Sequence, residues 1–153
     1  MNRILRIDLS KEKIGEEKPN KDWAIKYIGG RGWGARKVWE SGIDVDPFGP
    51  DNLIFFASGP LTGLLVPSAG KMTIVSISPA TRIYADSSVG GAFGAELKQA
   101  GYDAIALSGV SKKPVYIMID DGDVEIRDAE EYWGMGALAT EERLKKAVSY
   151  THL

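Results

Sequence analysis

Glycine, proline and acidic turn residues punctuate this chain so often that most of its apolar runs are no longer than one strand, which restricts the fold to short strands and short helices. Leu5, Ile7 and Leu9 alternate with Arg6 and Asp8, and the polar stretch Ser10 to Lys13 then leads to Ile14, so the opening reads as a hairpin. The continuous run Leu53 to Ala57 predicts a strand buried on both faces, ended by the turn Gly59-Pro60-Leu61-Thr62-Gly63. Lys71 to Ser78 predicts another strand, closed by Pro79, with Arg82 to Ala85 as its returning partner. A strand at Ala104 to Leu107 follows. The clearest hairpin joins Val115 to Ile119 with Val124 to Ile126 through Asp120-Asp121-Gly122-Asp123.

Helix signals are short and sit between these strands. Asn20 or Asp22 is a suitable N-cap for Trp23 to Ile28, which Gly29-Gly30 stops, and Gly34 to Ser41 ends at Gly42. Ala95 to Ala100 carries strong helix formers and stops at Gly101. Ala137 to Val148 places Leu138, Leu144 and Val148 near one face. Strands arrive in hairpins, without the regular strand-helix alternation of a doubly wound sheet, so the expected class is α+β with mostly antiparallel sheets. A length of 153 residues suits one domain.

A net charge of −2 and a pI near 5.5 argue against a nucleic-acid or anionic-membrane partner. No stretch approaches the ~20 apolar residues of a membrane span, and the charged opening lacks a secretory core, so a cytoplasmic location is expected. With no Cys, these residues hold no disulfide, no thiolate zinc site and no cysteine-ligated cluster. His152 is the only histidine, which argues against a Ser-His-Asp machine.

Chemistry is therefore to be sought in the glycines. Gly90, Gly91 and Gly94 precede a helix, where free N–H groups and absent side chains favour an anion, and Ser87 and Ser88 add hydroxyls. The same glycines equally suit a tight turn with close packing. Gly30-Arg31-Gly32-Trp33-Gly34-Ala35 formally satisfies a dinucleotide fingerprint, but the residues before it read as a helix rather than the required strand. Arg31 and Lys71 are the cations nearest these segments; either suits a phosphate, or is an ordinary solvated charge. Trp23, Trp33, Trp39 and Trp133 read as core or interface anchors, and Asp44, Asp46 and Asp51 as turn acids. No residue has the setting of a general acid or base.

Taken in order, the strand Arg3 to Ser10, Gly29-Gly30-Arg31-Gly32, Gly59-Pro60-Leu61-Thr62-Gly63, Gly90-Gly91-Ala92-Phe93-Gly94-Ala95-Glu96-Leu97-Lys98 and Ala100-Gly101-Tyr102-Asp103-Ala104 resemble the aldehyde ferredoxin oxidoreductase family. Lys113 to Ile117 and Val124 to Ala129 extend the resemblance. It implies the N-terminal domain, of two antiparallel sheets, that forms a base under a tungsten bis-pterin cofactor held without a protein side-chain ligand. It further implies pterin and phosphate contacts from Lys71, Ser88, Val89, Gly90 and Gly91, with the Ser88 backbone carbonyl coordinating a magnesium ion between the pterins. Lys71 stands where aldehyde-oxidising members have Arg, and Ser88 where they have Asn, so a relative such as the tungsten subunit of an aryl-CoA reductase is an alternative, as is a stand-alone pterin-binding module.

The family's 4Fe-4S ligands, acid-base residues and substrate pocket lie in later domains. The expected parent is a cytoplasmic, anaerobic enzyme that oxidises a small aldehyde and reduces ferredoxin, with a homodimer as one assembly the resemblance allows, while residues 1–148 alone form an incomplete, inactive domain. Ser149 to Leu153 fall outside the pattern and read as a non-native tail.

Overall fold

The computed structural model describes residues 3–147; the expected tail, Val148 and His152 lie outside them. Strands β1 (Ile4–Asp8) and β2 (Lys13–Glu17) form the expected N-terminal hairpin. Helix α1 (Lys21–Tyr27) starts where the Asn20 side chain accepts the Asp22 N–H at 2.8 Å, satisfying one otherwise orphan donor. Helix α2 is Gly30–Ser41. Strands β3 (Ile54–Ser58), β4 (Met72–Ile77) and β5 (Tyr84–Val89) follow, then helix α3 (Phe93–Gln99) and strand β6 (Ala104–Ser108). Strands β7 (Val115–Asp120) and β8 (Asp123–Asp128) and helix α4 (Ala137–Ala147) complete the chain.

Six strands form one sheet in the order β2-β1-β6-β3-β4-β5, and β7 with β8 forms a second. Pairing is antiparallel except between β1 and β6. The sheets are thus mostly antiparallel, as expected, with a single parallel pair inside the larger one. That pair arises because α3 carries the chain from the edge strand β5 back to the centre, inserting β6 between β1 and β3.

The large sheet is covered on both faces. Ile4, Phe55, Ala57, Val75, Ile77, Ala104 and Ala106 face Trp23, Trp33 and Val38 of α1 and α2. Leu5, Ile7, Met72 and Ile105 face the other way, with Leu97, Tyr102 and the apolar side of the β7–β8 hairpin. Burying a residue such as Phe55 fully contributes about 1.5–3 kcal/mol, so each cover is worth several such residues. Strand β3 is less enclosed than its apolar sequence suggests: Phe55 and Ala57 are buried, but Ile54 is exposed and Phe56 half-buried, because α3 and the hairpin cover the second face only partly. No residue of α4 is buried.

Among the element boundaries that differ from the sequence reading, those of α2 and β5 have a clear physical reason. Helix α2 begins at Gly30 rather than Gly34, so the glycine motif is helical. Its glycines are spacing devices: a Cβ at Gly32 would lie 2.4 Å from the Tyr27 carbonyl oxygen, and one at Gly34 2.6 Å and 2.7 Å from the Val75 methyls. Strand β5 runs to Val89 rather than Ala85, since Ser87, Ser88 and Val89 pair with Ile74, Thr73 and Met72. The β7–β8 turn matches its sequence signal: Asp121 (φ 42°) and Gly122 (φ 97°) both take the left-handed geometry of a two-residue hairpin loop.

A polar clamp joins the sheet's far edge to the hairpin. The Tyr102 hydroxyl lies 3.2 Å from both a Glu16 carboxylate oxygen and the Gly122 carbonyl, and Arg3 forms an ion pair with Glu16 while its guanidinium lies 4.7 Å from the Tyr102 ring centroid. The Arg3 hydrogen bond, above all, lowers the Glu16 pKa. A carboxylate with a lower pKa in the folded state adds stability above its unfolded pKa and loses it as pH falls through the folded value. Glu16→Gln is therefore expected to flatten the acid side of a stability-versus-pH curve below about pH 4.5, measured by denaturant titration, by lowering stability modestly at neutral pH, where the carboxylate's contribution is fully present, and leaving it little changed in acid, where that contribution is already lost. Gly34→Ala is expected to cost about 1–3 kcal/mol by overpacking, and Val75→Ala in the same chain to recover part of that loss.

Candidate functional site

The glycine clusters meet at one end of the large sheet. Helix α2 runs in the direction of β4, with Gly30 over Thr73 and Gly34 over Val75, so its first turn lies above the start of β4 and the end of β5. A Cβ on Gly30 would be 3.5 Å from the Thr73 hydroxyl. Thr73 is paired with Ser88, and the ladder brings Lys71, just before β4, beside Gly90, just after β5. Alternation along the strands puts Thr73, Ser88 and Asp86 on the face that α2 covers, while Val89 packs with Met72 on the other.

A second set of contacts fixes the loops. Thr62, buried, accepts a hydrogen bond from the Gly59 N–H at 3.0 Å and donates one to the Lys71 carbonyl at 2.8 Å. It thereby ties the Gly59–Gly63 turn to the entry of β4. A Cβ on Gly70 would lie 2.6 Å from the Gly91 carbonyl oxygen, and one on Gly94 2.9 Å from a Thr62 methyl. Gly70 is thus glycine because two backbones touch there, and Gly94 because the Thr62 methyl and Met72 side chain press against it. Gly91 is glycine because its φ of +86° is left-handed.

Gly90 differs from these. A Cβ there would meet nothing within 4 Å, and its backbone lies outside the left-handed region. Neither packing nor geometry within the described residues requires glycine at this position, which is what a surface left open to a closely approaching group looks like.

The charges at this end are unequal. Lys71 is exposed, and among the described residues its ammonium pairs with no carboxylate. Arg31, in the first turn of α2, forms an ion pair with Asp86 of β5. The Tyr84 hydroxyl is buried without a hydrogen-bond partner among the described residues; burial chiefly raises its pKa, with Asp86 adding to that and Arg31 opposing it. No three His, Cys, Asp or Glu residues come together among the described residues. A metal held here would have to rely on non-protein donors and backbone oxygens, as the dithiolene and carbonyl ligation implied by the sequence resemblance does.

The structure thus gathers all the sequence-derived site residues, Lys71, Ser88, Val89, Gly90 and Gly91, at one sheet end. Ser88 and Val89 belong to the β5 ladder rather than to a loop. Sequence reasoning missed Thr62 and Gly70, which position the loops, and the Arg31–Asp86 pair. The Gly59-Pro60-Leu61-Thr62-Gly63 turn signal was visible, but its hydroxyl's partner lies across the fold.

A mixed-sheet α+β domain with a glycine-lined open end is the class that this fold defines. The family model of the aldehyde ferredoxin oxidoreductase N-terminal domain matches residues 4–152, and the chain belongs to that family. It is 45% identical to the tungsten-containing aldehyde ferredoxin oxidoreductase of Pyrococcus horikoshii over 99% of its own length and 25% of that protein's. It is 41% identical to an aliphatic sulfonate oxidoreductase WOR-like subunit of Pyrococcus furiosus, covering 95% of this chain and 24% of that one. Among solved structures, the BamBC active-site complex of benzoyl coenzyme A reductase, bound to 1,5-dienoyl-CoA, superposes with a TM-score of 0.93 at 37% identity, covering 96% of this chain and 23% of that one. The chain therefore spans about a quarter of the length of the relatives it matches. Among the described residues, no helix is long and apolar enough to cross a membrane.

Because Thr62 satisfies two backbone groups at once, Thr62→Val is expected to destabilise the chain by about 1–3 kcal/mol. Amide exchange at Gly59 should accelerate more than exchange in β1, which hydrogen-exchange mass spectrometry can resolve.

Proposed function

We propose that this chain is the cofactor-bearing base of a tungsten bis-pterin oxidoreductase whose complete polypeptide oxidises an aldehyde and passes the electrons through a 4Fe-4S cluster, ligated outside residues 1–153, to ferredoxin. Family membership supports the tungsten-pterin class, and the open backbone at Gly90 beside Lys71 and Ser88 carries the reading for this chain.

When bound, the metal and its dithiolenes supply the redox chemistry. The residues of this chain bind and orient. Lys71, a cation without a carboxylate partner among the described residues, neutralises a pterin phosphate. Gly90 and Gly91 let the heterocycle approach the backbone, and the Ser88 carbonyl supplies an oxygen ligand to magnesium, an ion that favours such donors. Val89, packed with Met72 on the opposite face, anchors the strand that presents Ser88. The remaining domains of the longer polypeptide supply the substrate pocket, the acid-base groups and any dimer contact.

An aryl-CoA reductase is the second reading, favoured by the likeness to the benzoyl-CoA reductase structure and by the family resemblance, which implies Arg and Asn in aldehyde-oxidising members where this chain has Lys71 and Ser88. The two readings separate when the full-length protein, purified without oxygen, is assayed for aldehyde-dependent reduction of ferredoxin and for turnover of aryl-CoA thioesters. A full-length protein lacking both tungsten and molybdenum would overturn both. Lys71→Ala is expected to lower metal per polypeptide severalfold, measured by plasma mass spectrometry, whereas Ser88→Ala should leave it unchanged because the contact is through the carbonyl.

A further inference from the structure

The sheet face under α2 changes character at the site. Beneath the middle of the helix it is apolar, with Val75 and Ile77, but beneath the first turn it carries Thr73, Ser88 and Asp86, with Lys71 just beyond. Arg31 stands over this polar end. Its side chain is 69% exposed, although its partner Asp86 is only 23% exposed. The guanidinium is therefore pinned at one edge and open at the other. A planar fork offers five N–H donors, and one carboxylate leaves several unused. Within the same end lie the uncompensated ammonium of Lys71, the Ser88 hydroxyl, which has no partner among the described residues, and the bare backbone of Gly90.

We infer that Arg31 is a second phosphate-binding residue of this site, with Asp86 as its internal competitor: a phosphate monoester or free phosphate takes the open edge of the guanidinium and, with Lys71, shares it with the carboxylate. This rests on the cofactor reading above and extends it to a residue of the α2 first turn. The pair sets both affinity and position. Asp86 holds the fork against β5, and its negative charge weakens the anion's hold.

Two readouts distinguish this role from a clasp that merely holds α2 to β5. Inorganic phosphate is titrated into the purified chain at low ionic strength, where screening is weak, and followed by amide chemical shifts. Arg31→Ala is expected to weaken binding by about tenfold, the scale of a lost charge-assisted hydrogen bond. Arg31→Lys should fall in between, because charge remains but the fork is lost. Asp86→Asn is expected to strengthen binding severalfold, the opposite sign to Arg31→Ala, at a similar melting temperature. A mere clasp would make Arg31→Ala and Asp86→Asn act in the same direction, or leave both without effect; either result overturns the inference, as would the absence of phosphate binding to the unsubstituted chain.

The second arm measures tungsten per polypeptide in the full-length protein. A fall with Arg31→Ala and none with Asp86→Asn identifies the anion as the cofactor's phosphate. Unchanged metal alongside the opposite-signed phosphate affinities identifies a free-phosphate site. A full-length protein devoid of metal, with the phosphate results intact, would remove the cofactor reading and leave the anion site standing.

Discussion

The close seating of α2 on the large sheet is the constraint on which the rest of the structure depends. With Gly32 against the Tyr27 carbonyl and Gly34 against the Val75 methyls, the helix lies closer than any residue with a Cβ would allow. That proximity encloses Trp33 completely and brings Trp23 to 6.2 Å from it, ring centroid to ring centroid. It also aims the first turn at the start of β4 and the end of β5. Interiors pack at crystal-like density, so a shift of the helix would be felt along the whole sheet face. Site geometry and core packing are therefore set by the same two glycines.

Much of this architecture was legible in the residues. The β7–β8 hairpin followed from Asp121-Gly122, the α1 cap from Asn20, and the stops at Gly42 and Gly101 from glycine's usual place beyond a helix end. Local signals of this kind act within a few residues and survive folding. The errors came from contacts distant in sequence. Nothing near Gly30 reveals that a neighbouring helix and strand would accept a helical glycine motif, and nothing near Ser87 and Ser88 reveals that β4 would hold them in a ladder. The parallel β1–β6 pair is likewise a property of chain order in space, since Ala104 to Ser108 reads the same beside either neighbour.

For the candidate site, residue types were readable but their reasons were not. Three glycine clusters marked where chemistry was to be sought, and the structure divides them by cause. Gly32, Gly34, Gly70 and Gly94 answer to close contacts, Gly91 to its backbone angle, and Gly90 to neither. Only coordinates separate a glycine the fold needs from one a ligand would need. Lys71 and Arg31 looked alike as isolated cations, and the distinction between them is the Asp86 carboxylate, contributed by a strand more than fifty residues from Arg31.

Ser88 lies on an edge strand, and that position has a consequence for solubility. An unpaired edge is a template for intermolecular strand addition unless its sequence discourages it. The sequence of β5, Tyr-Ala-Asp-Ser-Ser-Val, is hydrophilic at its centre, where Asp86, Ser87 and Ser88 follow one another and the two serines are exposed. Small polar residues that leave room for a ligand are the same residues that make this border a poor partner for another chain. Drift toward β-branched or aromatic residues here would obstruct the open end of the sheet and make the border adhesive, so a single substitution would be opposed on two grounds.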